Sequence, residues 1–529
     1  MEQTGNLTNK TISGIFWKLA ERLGAQIITL VVSIVLARIL LPEDYGVVTI
    51  VMIAITIFNV FVTHGFGTAL VQKKNSDQLD FSTVFYFGLL LSCVLYGILF
   101  LISKPIATFY KNDQIAIVLQ IMGLRLPFAA VNSVQQAYVS KKMIFKKFFF
   151  STLVGTIISG GVGIFLAYKG YGVWALVSQY LTNVVIDTIL LFIIVRWHPS
   201  FCFSFSRLRV LFKYSWKLLA SGLLDTFYDE LRSMVIGKKY TATDLAFYDK
   251  GKQFPSLIST NVNSSISSVL LSAMSKIQDD TAKVKEATRR SIKISSYLIF
   301  PCMVGMACVA QPFVHLVLTD KWLPIVPYLQ IMCFVYAFSP IHTANLEALK
   351  AKGRSDIYLI LEIIKKVVGI GILFATMWFG VLWIALGMGI ATLISSVINI
   401  IPNKKILNYG LKEQILDILP NILVVAVMGV PVYFMNYIPL NSYIVFPLQI
   451  ITGIVIYVLA SWLFKNYSFL YIKNFVKNII NSRKKKKTNE EGLAEESVAE
   501  EEILNETNDN SQNKAFINDG SSDNQNSSE

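Results

Sequence analysis

The sequence predicts an all-α integral membrane protein of about 14 transmembrane helices: two six-helix lobes around a central cavity, plus two further helices. Three observations predict it. The mean hydropathy is +0.54 with only 16% charged residues over 529 residues, which excludes a soluble globular chain. Apolar stretches of about 20 residues, enough to cross a hydrocarbon core roughly 30 Å thick, recur along most of the chain. The tetrapeptide LQIM stands at 119–122 and again at 329–332, with similar neighbours in the same order.

The spans fall at about 14–40, 46–68, 81–104, 114–139, 148–168, 173–196, 211–236, 244–272, 291–318, 325–349, 356–378, 380–402, 415–436 and 442–464. Helices are the spanning element, because a barrel would show short alternating strands. The first span is not a removable signal peptide: it is long, carries Glu21 and Arg22, and lacks a small-residue cleavage site. Loop charge alternates with the count. One side carries Lys73 and Lys74, Lys141 to Lys147, Arg196 to Lys213, Lys276 to Arg290, Lys350 to Arg354, and Lys404 to Lys412; the other carries few cations. The rich side is therefore expected to be cytoplasmic, with both termini there.

Short outer loops such as LPEDYG and NYIPLN leave no room for an extracellular catalytic domain, and the connections 197–210 and 273–290 are too small to fold alone. A membrane glycosyltransferase or polymerase fits poorly. The segment 465–487 alternates Phe, Leu and Ile with Lys, as expected of a basic interfacial helix attracted to membrane lipids. The tail, 488–529, holds twelve acids and one Lys and is expected to be a disordered acidic cytoplasmic segment.

Aligning the two LQIM copies brings other features into register. Trp17-Lys18-Leu19 faces Trp216-Lys217-Leu218, PEDYG at 42–46 faces ATDLAFY at 242–248, PIATFYKND at 105–113 faces PFVHLVLTD at 312–320, and GYGVWAL at 170–176 faces FGVLWIAL at 379–386. Each half holds six spans, so the expected organisation is an amino-terminal lobe 1–196, a carboxy-terminal lobe 197–402, and two additional helices in 403–464. An even number of spans per copy gives two copies of the same orientation, related by an axis along the membrane normal. Rocking of such lobes exposes a shared cavity to each side in turn.

Charges inside spans are costly and usually face a cavity or a partner. The candidates are Glu21, Arg22, Arg38, Arg125, Asp187, Asp225, Asp229, Glu230, Arg232, Asp249, Lys250, Lys252, Glu362, Lys365 and Lys366. Asp225, Asp229 and Arg232 stand at i, i+4, i+7 and share a helix face; Glu362 and Lys366 can pair at i, i+4. Lys250 and Lys252 are expected at an outer rim. Arginine forks suit phosphate oxygens, and aromatic rings such as Tyr228 suit sugar faces. His64 and His342 are lone histidines, expected in packing or hydrogen bonding. The five cysteines show no CxxC spacing, no clustered histidine points to a metal, and no GxxxxGK[ST] loop occurs, so no cofactor or directly used ATP is expected.

WKLAERLGAQIITLVVSIVLARILLPEDYGVVTI, GFGTALVQKK, SKPIATFYKND and RSMVIGKKYTATDLAFYDKGKQFPSLI together resemble the polysaccharide exporters of the multidrug/oligosaccharidyl-lipid/polysaccharide superfamily. Within it they resemble bacterial lipopolysaccharide or exopolysaccharide flippases of the Wzx and colanic-acid-exporter type. The resemblance covers about residues 10–465. It implies a V-shaped cavity, alternating access, and location in the bacterial cytoplasmic membrane. The implied substrate is an oligosaccharide on undecaprenyl diphosphate, flipped from the inner to the outer leaflet. It also implies cationic cavity residues that hold the pyrophosphate, carried over to Arg22, Arg125 and Arg232; Lys250, Glu21 and Tyr228 are expected beside them in the pyrophosphate and sugar cavity, and coupling to an ion gradient is open to Asp225, Asp229 or Asp249. A polymerase and assembly machinery are the expected protein partners, and nucleic acid is not. The rival from the same superfamily is a multidrug efflux antiporter, which calls for a cavity dominated by acids.

Overall fold

The computed structural model describes residues 2–474 together with 477, 478 and 481. All regular secondary structure among these residues is helical. The first half comprises α1 (Glu2–Ile39), α2 (Pro42–Thr63), the short α3 (Phe66–Gln72), α4 (Gln78–Tyr110), α5 (Gln114–Gly123), α6 (Arg125–Lys142), α7 (Phe145–Tyr168) and α8 (Val173–Val195). The second comprises α9 (Phe205–Lys239), α10 (Ala242–Ser275), α11 (Thr281–Cys308), the short α12 (Ala310–Val317), α13 (Val326–Ala337), α14 (Ser339–Ala351), α15 (Ser355–Thr376) and α16 (Val381–Ile406). The helices α17 (Leu411–Phe434) and α18 (Ser442–Leu463) follow. The described residues through Tyr457 form one compact unit, and a second begins at Val458. Of the expected basic helix, residues 467–474 are helical; the rest of it, apart from isolated positions, and the whole acidic tail lie outside the described residues.

The repeated letters make repeated contacts. In both copies the Leu and Met of LQIM are fully buried: Leu119 and Met122 in α5, Leu329 and Met332 in α13. Each glutamine between them reaches back to an earlier long helix of its half. Gln120 donates to the Ser103 hydroxyl of α4 (2.8 Å) and Gln330 to the Ala307 carbonyl of α11 (3.2 Å). In each half the LQIM helix then breaks once, before Arg125 and before Ser339, and continues as α6 or α14.

Helices α2 and α10 begin alike. Asp44 and Asp244, each at the third helical position, accept from the backbone N–H of the capping residue, Leu41 and Thr241, both at 3.1 Å. This satisfies donors that a helix start leaves open. The two starts also touch, since a Cβ on Gly46 would overlap the backbone of Ala242. No larger residue fits at 46 without parting the two helices.

Eleven helical segments among the described residues are long and apolar enough to cross a membrane. The three expected spans missing from that set are α9, α10 and α15, which carry most of the intramembrane charge named above. Water or a polar ligand must face those side chains, because lipid cannot solvate them.

Candidate functional site: a two-chambered central cavity

Polar residues at helical spacing on otherwise apolar helices build a chamber of about 530 Å³. Gln26, Thr29 and Ser33 line it from α1, Tyr45, Thr49 and Thr56 from α2, Gln179 and Tyr180 from α8, and Asp249, Lys250, Gln253 and Thr260 from α10. A second chamber of about 790 Å³ is lined by Asp225, Tyr228, Asp229 and Arg232 of α9, His342 of α14, Glu362, Lys365 and Lys366 of α15, and Thr392 of α16. Glu230, Lys252 and Ser256 line both, so the chambers adjoin along α9 and α10.

The i, i+4, i+7 face of α9 thus forms one wall of the charged chamber. Lys366 pairs with Asp225 across α9 and α15, and Glu362 pairs with Lys365 (2.6 Å) rather than with Lys366. The i+3 neighbour takes Glu362 because Lys366 is drawn to another helix. Arg232 is buried, with its guanidinium 5.4 Å from the Tyr228 ring centroid. Lys250 is also buried, not at a rim. Its ammonium donates to Ser33 Oγ (2.8 Å) and Gln253 Oε1 (3.1 Å) and lies 4.3 Å from the Tyr45 ring. Among the described residues, Arg232, Lys250 and Lys252 make no ion pair within 4 Å, whereas Lys365 and Lys366 do.

Glu21, Arg22, Arg125 and Asp187 stand apart from the cavity wall. Arg22 donates to Ser264 Oγ (3.2 Å) and, with half-buried Glu21, lies a turn below Gln26 toward the amino terminus. Arg125 stands behind the wall: it reaches Met52 Sδ at 3.1 Å and packs 5.2 Å from the Tyr180 ring centroid, and both partners line the smaller chamber. Asp187 accepts from Ser151 (2.8 Å) and Asn132 (3.3 Å), joining α6, α7 and α8. His342 bonds Asn399 (2.9 Å) at the edge of the charged chamber. His64 packs against Gly222, and the five cysteines are free thiols.

Reading intramembrane charge alone passes over Tyr45, Gln179, Tyr180, Gln253 and the hydroxyl residues beside them. Their signal was a polar face: 26, 29, 33 on α1; 45, 49, 56 on α2; 249, 253, 256, 260 on α10.

Residues 35–327 match the model of a family described as polysaccharide biosynthesis protein, over more than half of the chain. The chain belongs to this polysaccharide biosynthesis family. An uncharacterized membrane protein in the cps region of Klebsiella pneumoniae is 24% identical over 490 residues, 90% of this chain and 99% of its own length. The lipopolysaccharide biosynthesis protein WzxC of Escherichia coli is 24% identical, covering 80% of this chain and 89% of its own. The succinoglycan biosynthesis transport protein ExoT of Rhizobium meliloti is 23% identical, covering 60% and 65%. Among solved structures, the lipid II flippase MurJ in an inward closed conformation superposes with a TM-score of 0.69 at 16% identity, covering 85% of this chain and 98% of its own. An inward-facing multidrug resistance transporter of the MATE family, itself of the MOP superfamily, gives 0.56 at 14% identity, covering 72% and 94%. This member of the polysaccharide biosynthesis family therefore shares its helical fold with these two transporters.

Proposed function

We propose that this protein is a flippase that moves polyprenyl-diphosphate-linked oligosaccharide from the inner to the outer leaflet of the bacterial cytoplasmic membrane. The product feeds lipopolysaccharide, capsule or exopolysaccharide biosynthesis. One observation carries the reading: Arg232, Lys250 and Lys252 line a buried polar cavity without an ion-pair partner among the described residues. A diphosphate left unsolvated in hydrocarbon faces a prohibitive cost, and cations on a polar path lower it while the prenyl chain stays in lipid. The names of WzxC, ExoT and MurJ support the same class of cargo.

In this reading 1–196 and 197–402 are the two lobes that rock, 403–464 adds two helices, and both termini are cytoplasmic. Arg232, Lys250, Lys252 and Tyr228 meet the head group, Arg22 and Glu21 join them as the lobes move, and Arg125 braces the wall from behind Met52 and Tyr180. Asp225, Asp229 and Asp249 are the groups through which an ion gradient drives the cycle. The protein breaks no covalent bond, and its partners are the lipid-linked sugar, membrane lipid, and the polymerase machinery that consumes the product.

The test is the leaflet of lipid-linked oligosaccharide in cells lacking the protein. Intermediates trapped on the cytoplasmic leaflet are the expected result. Normal outward display together with altered drug sensitivity would overturn the reading in favour of efflux.

A further inference from the structure

The two chambers differ in kind. All thirteen wall residues that α1, α2 and α8 give the smaller chamber are uncharged, among them Gln26, Gln179, Thr49 and the two tyrosines Tyr45 and Tyr180. Arg125 is held behind Met52 and Tyr180 and does not line that wall. The charges of the smaller chamber come only from α9 and α10: Glu230, Asp249, Lys250 and Lys252. In the larger chamber, Asp225, Asp229, Glu230, Arg232, Lys252, Glu362, Lys365 and Lys366 make eight charged residues among eighteen.

Amide and hydroxyl side chains beside aromatic faces suit a ligand dense in hydroxyls and poor in charge; forks and ammonium groups suit phosphate oxygens. The residues common to both chambers are Glu230, Lys252 and Ser256, and Lys252 is their one cation.

Resting on the flippase reading, we propose that the cavity is divided along the covalent order of its substrate. The saccharide occupies the smaller chamber, against the uncharged wall of α1, α2 and α8. The sugar–phosphate junction passes Lys252, and the diphosphate turns toward Arg232 in the charged chamber. A volume of about 530 Å³ lies within the roughly 300–1,000 Å³ range of small-molecule pockets, so this chamber takes the sugars proximal to the lipid rather than a polymer.

The test uses the full chain in cells that make the polymer, fed a radiolabelled sugar. A photoreactive benzoylphenylalanine replaces Gln179 in one variant and Thr392 in another. After irradiation, mild acid cleaves the bond between sugar and diphosphate. The adduct at 179 is expected to keep its sugar label and the adduct at 392 to lose it. Label retained at 392, or at neither site, would overturn the division of the cavity. A second measurement keeps packing effects apart: purified protein with Lys252→Met should bind inorganic pyrophosphate at least tenfold more weakly, and Gln179→Ala should bind it as wild type does. Equal pyrophosphate affinity in all three proteins would also overturn the assignment. Leaflet location of intermediates in deletion cells judges the flippase reading separately, so the two can fail independently.

Discussion

Gly369 of α15 lies directly against the hydroxyl of Tyr228 on α9, so closely that a Cβ at 369 would overlap it. Arg232 Nη2 would lie 3.4 Å from that same Cβ. A single glycine thus lets the tyrosine and the arginine stacked beside it settle into the charged chamber. Gly369→Ala is expected to push Tyr228 aside at about 1–3 kcal/mol, the usual cost of overpacking, and to lower export more than abundance. A variant that exports at the wild-type level would show that the pose of Tyr228 does not matter.

Among the basic residues, Arg232→Ala and Lys252→Ala should each reduce polymer export by tenfold or more with protein abundance unchanged, since both line the cavity wall. Arg125→Ala should act differently. Its side chain holds Met52 and Tyr180 from behind, so abundance and detergent stability should fall along with export. Immunoblots beside export assays separate these patterns.

The face opposite the amino terminus is closed by helix ends that cap one another. Arg38, at the end of α1, donates to the Val317 carbonyl (2.8 Å) and the Leu316 carbonyl at the end of α12. In return Lys321 donates to the carbonyls of Arg38 and Leu40 (2.8 and 2.7 Å), and Trp322 to that of Ala37 (2.8 Å). Lys238, which stands two hundred residues after Arg38, donates to the Phe109 carbonyl of α4 (2.5 Å). The double variant Arg38→Ala, Lys238→Ala removes three of these bonds and should favour opening of this face by about 1.5–4.5 kcal/mol, at roughly 0.5–1.5 kcal/mol per bond. Spin-label distances between the ends of α1 and α12 would measure the shift. An unchanged distance distribution would mean that these bonds do not hold the face shut.

Asp80, at the start of α4, is fully buried between Lys73 (2.5 Å) and Arg207 (3.4 Å). Asp80→Asn leaves two partly exposed cations facing a neutral group, and losing hydrogen bonds between charged groups costs about 1.5–3 kcal/mol. Thermal unfolding in detergent should show the loss. Arg354→Ala, which breaks only the exposed pair with Asp356, should leave the transition nearly unmoved.

The repeat, the membrane class and the helix order could be read from the letters, because burial in lipid and caps such as Asp44 and Asp244 act over a few neighbouring residues. The shared face of Asp225, Asp229 and Arg232 was legible for the same reason: helical spacing is local. Partner choice was not. Lys366 leaves Glu362 for Asp225 of another helix, and Lys250 is buried under Tyr45, because those distances depend on how α2, α9, α10 and α15 cross. The uncharged wall around Gln179 was hidden because a hydroxyl or amide inside a span costs too little to stand out from packing. The sequence by itself determined a two-fold-repeated helical membrane protein carrying excess charge on three helices. Only the tertiary structure decided which charges neutralise one another and which face the cavity, because electrostatic energy is set by distances across helices that sequence separation does not encode.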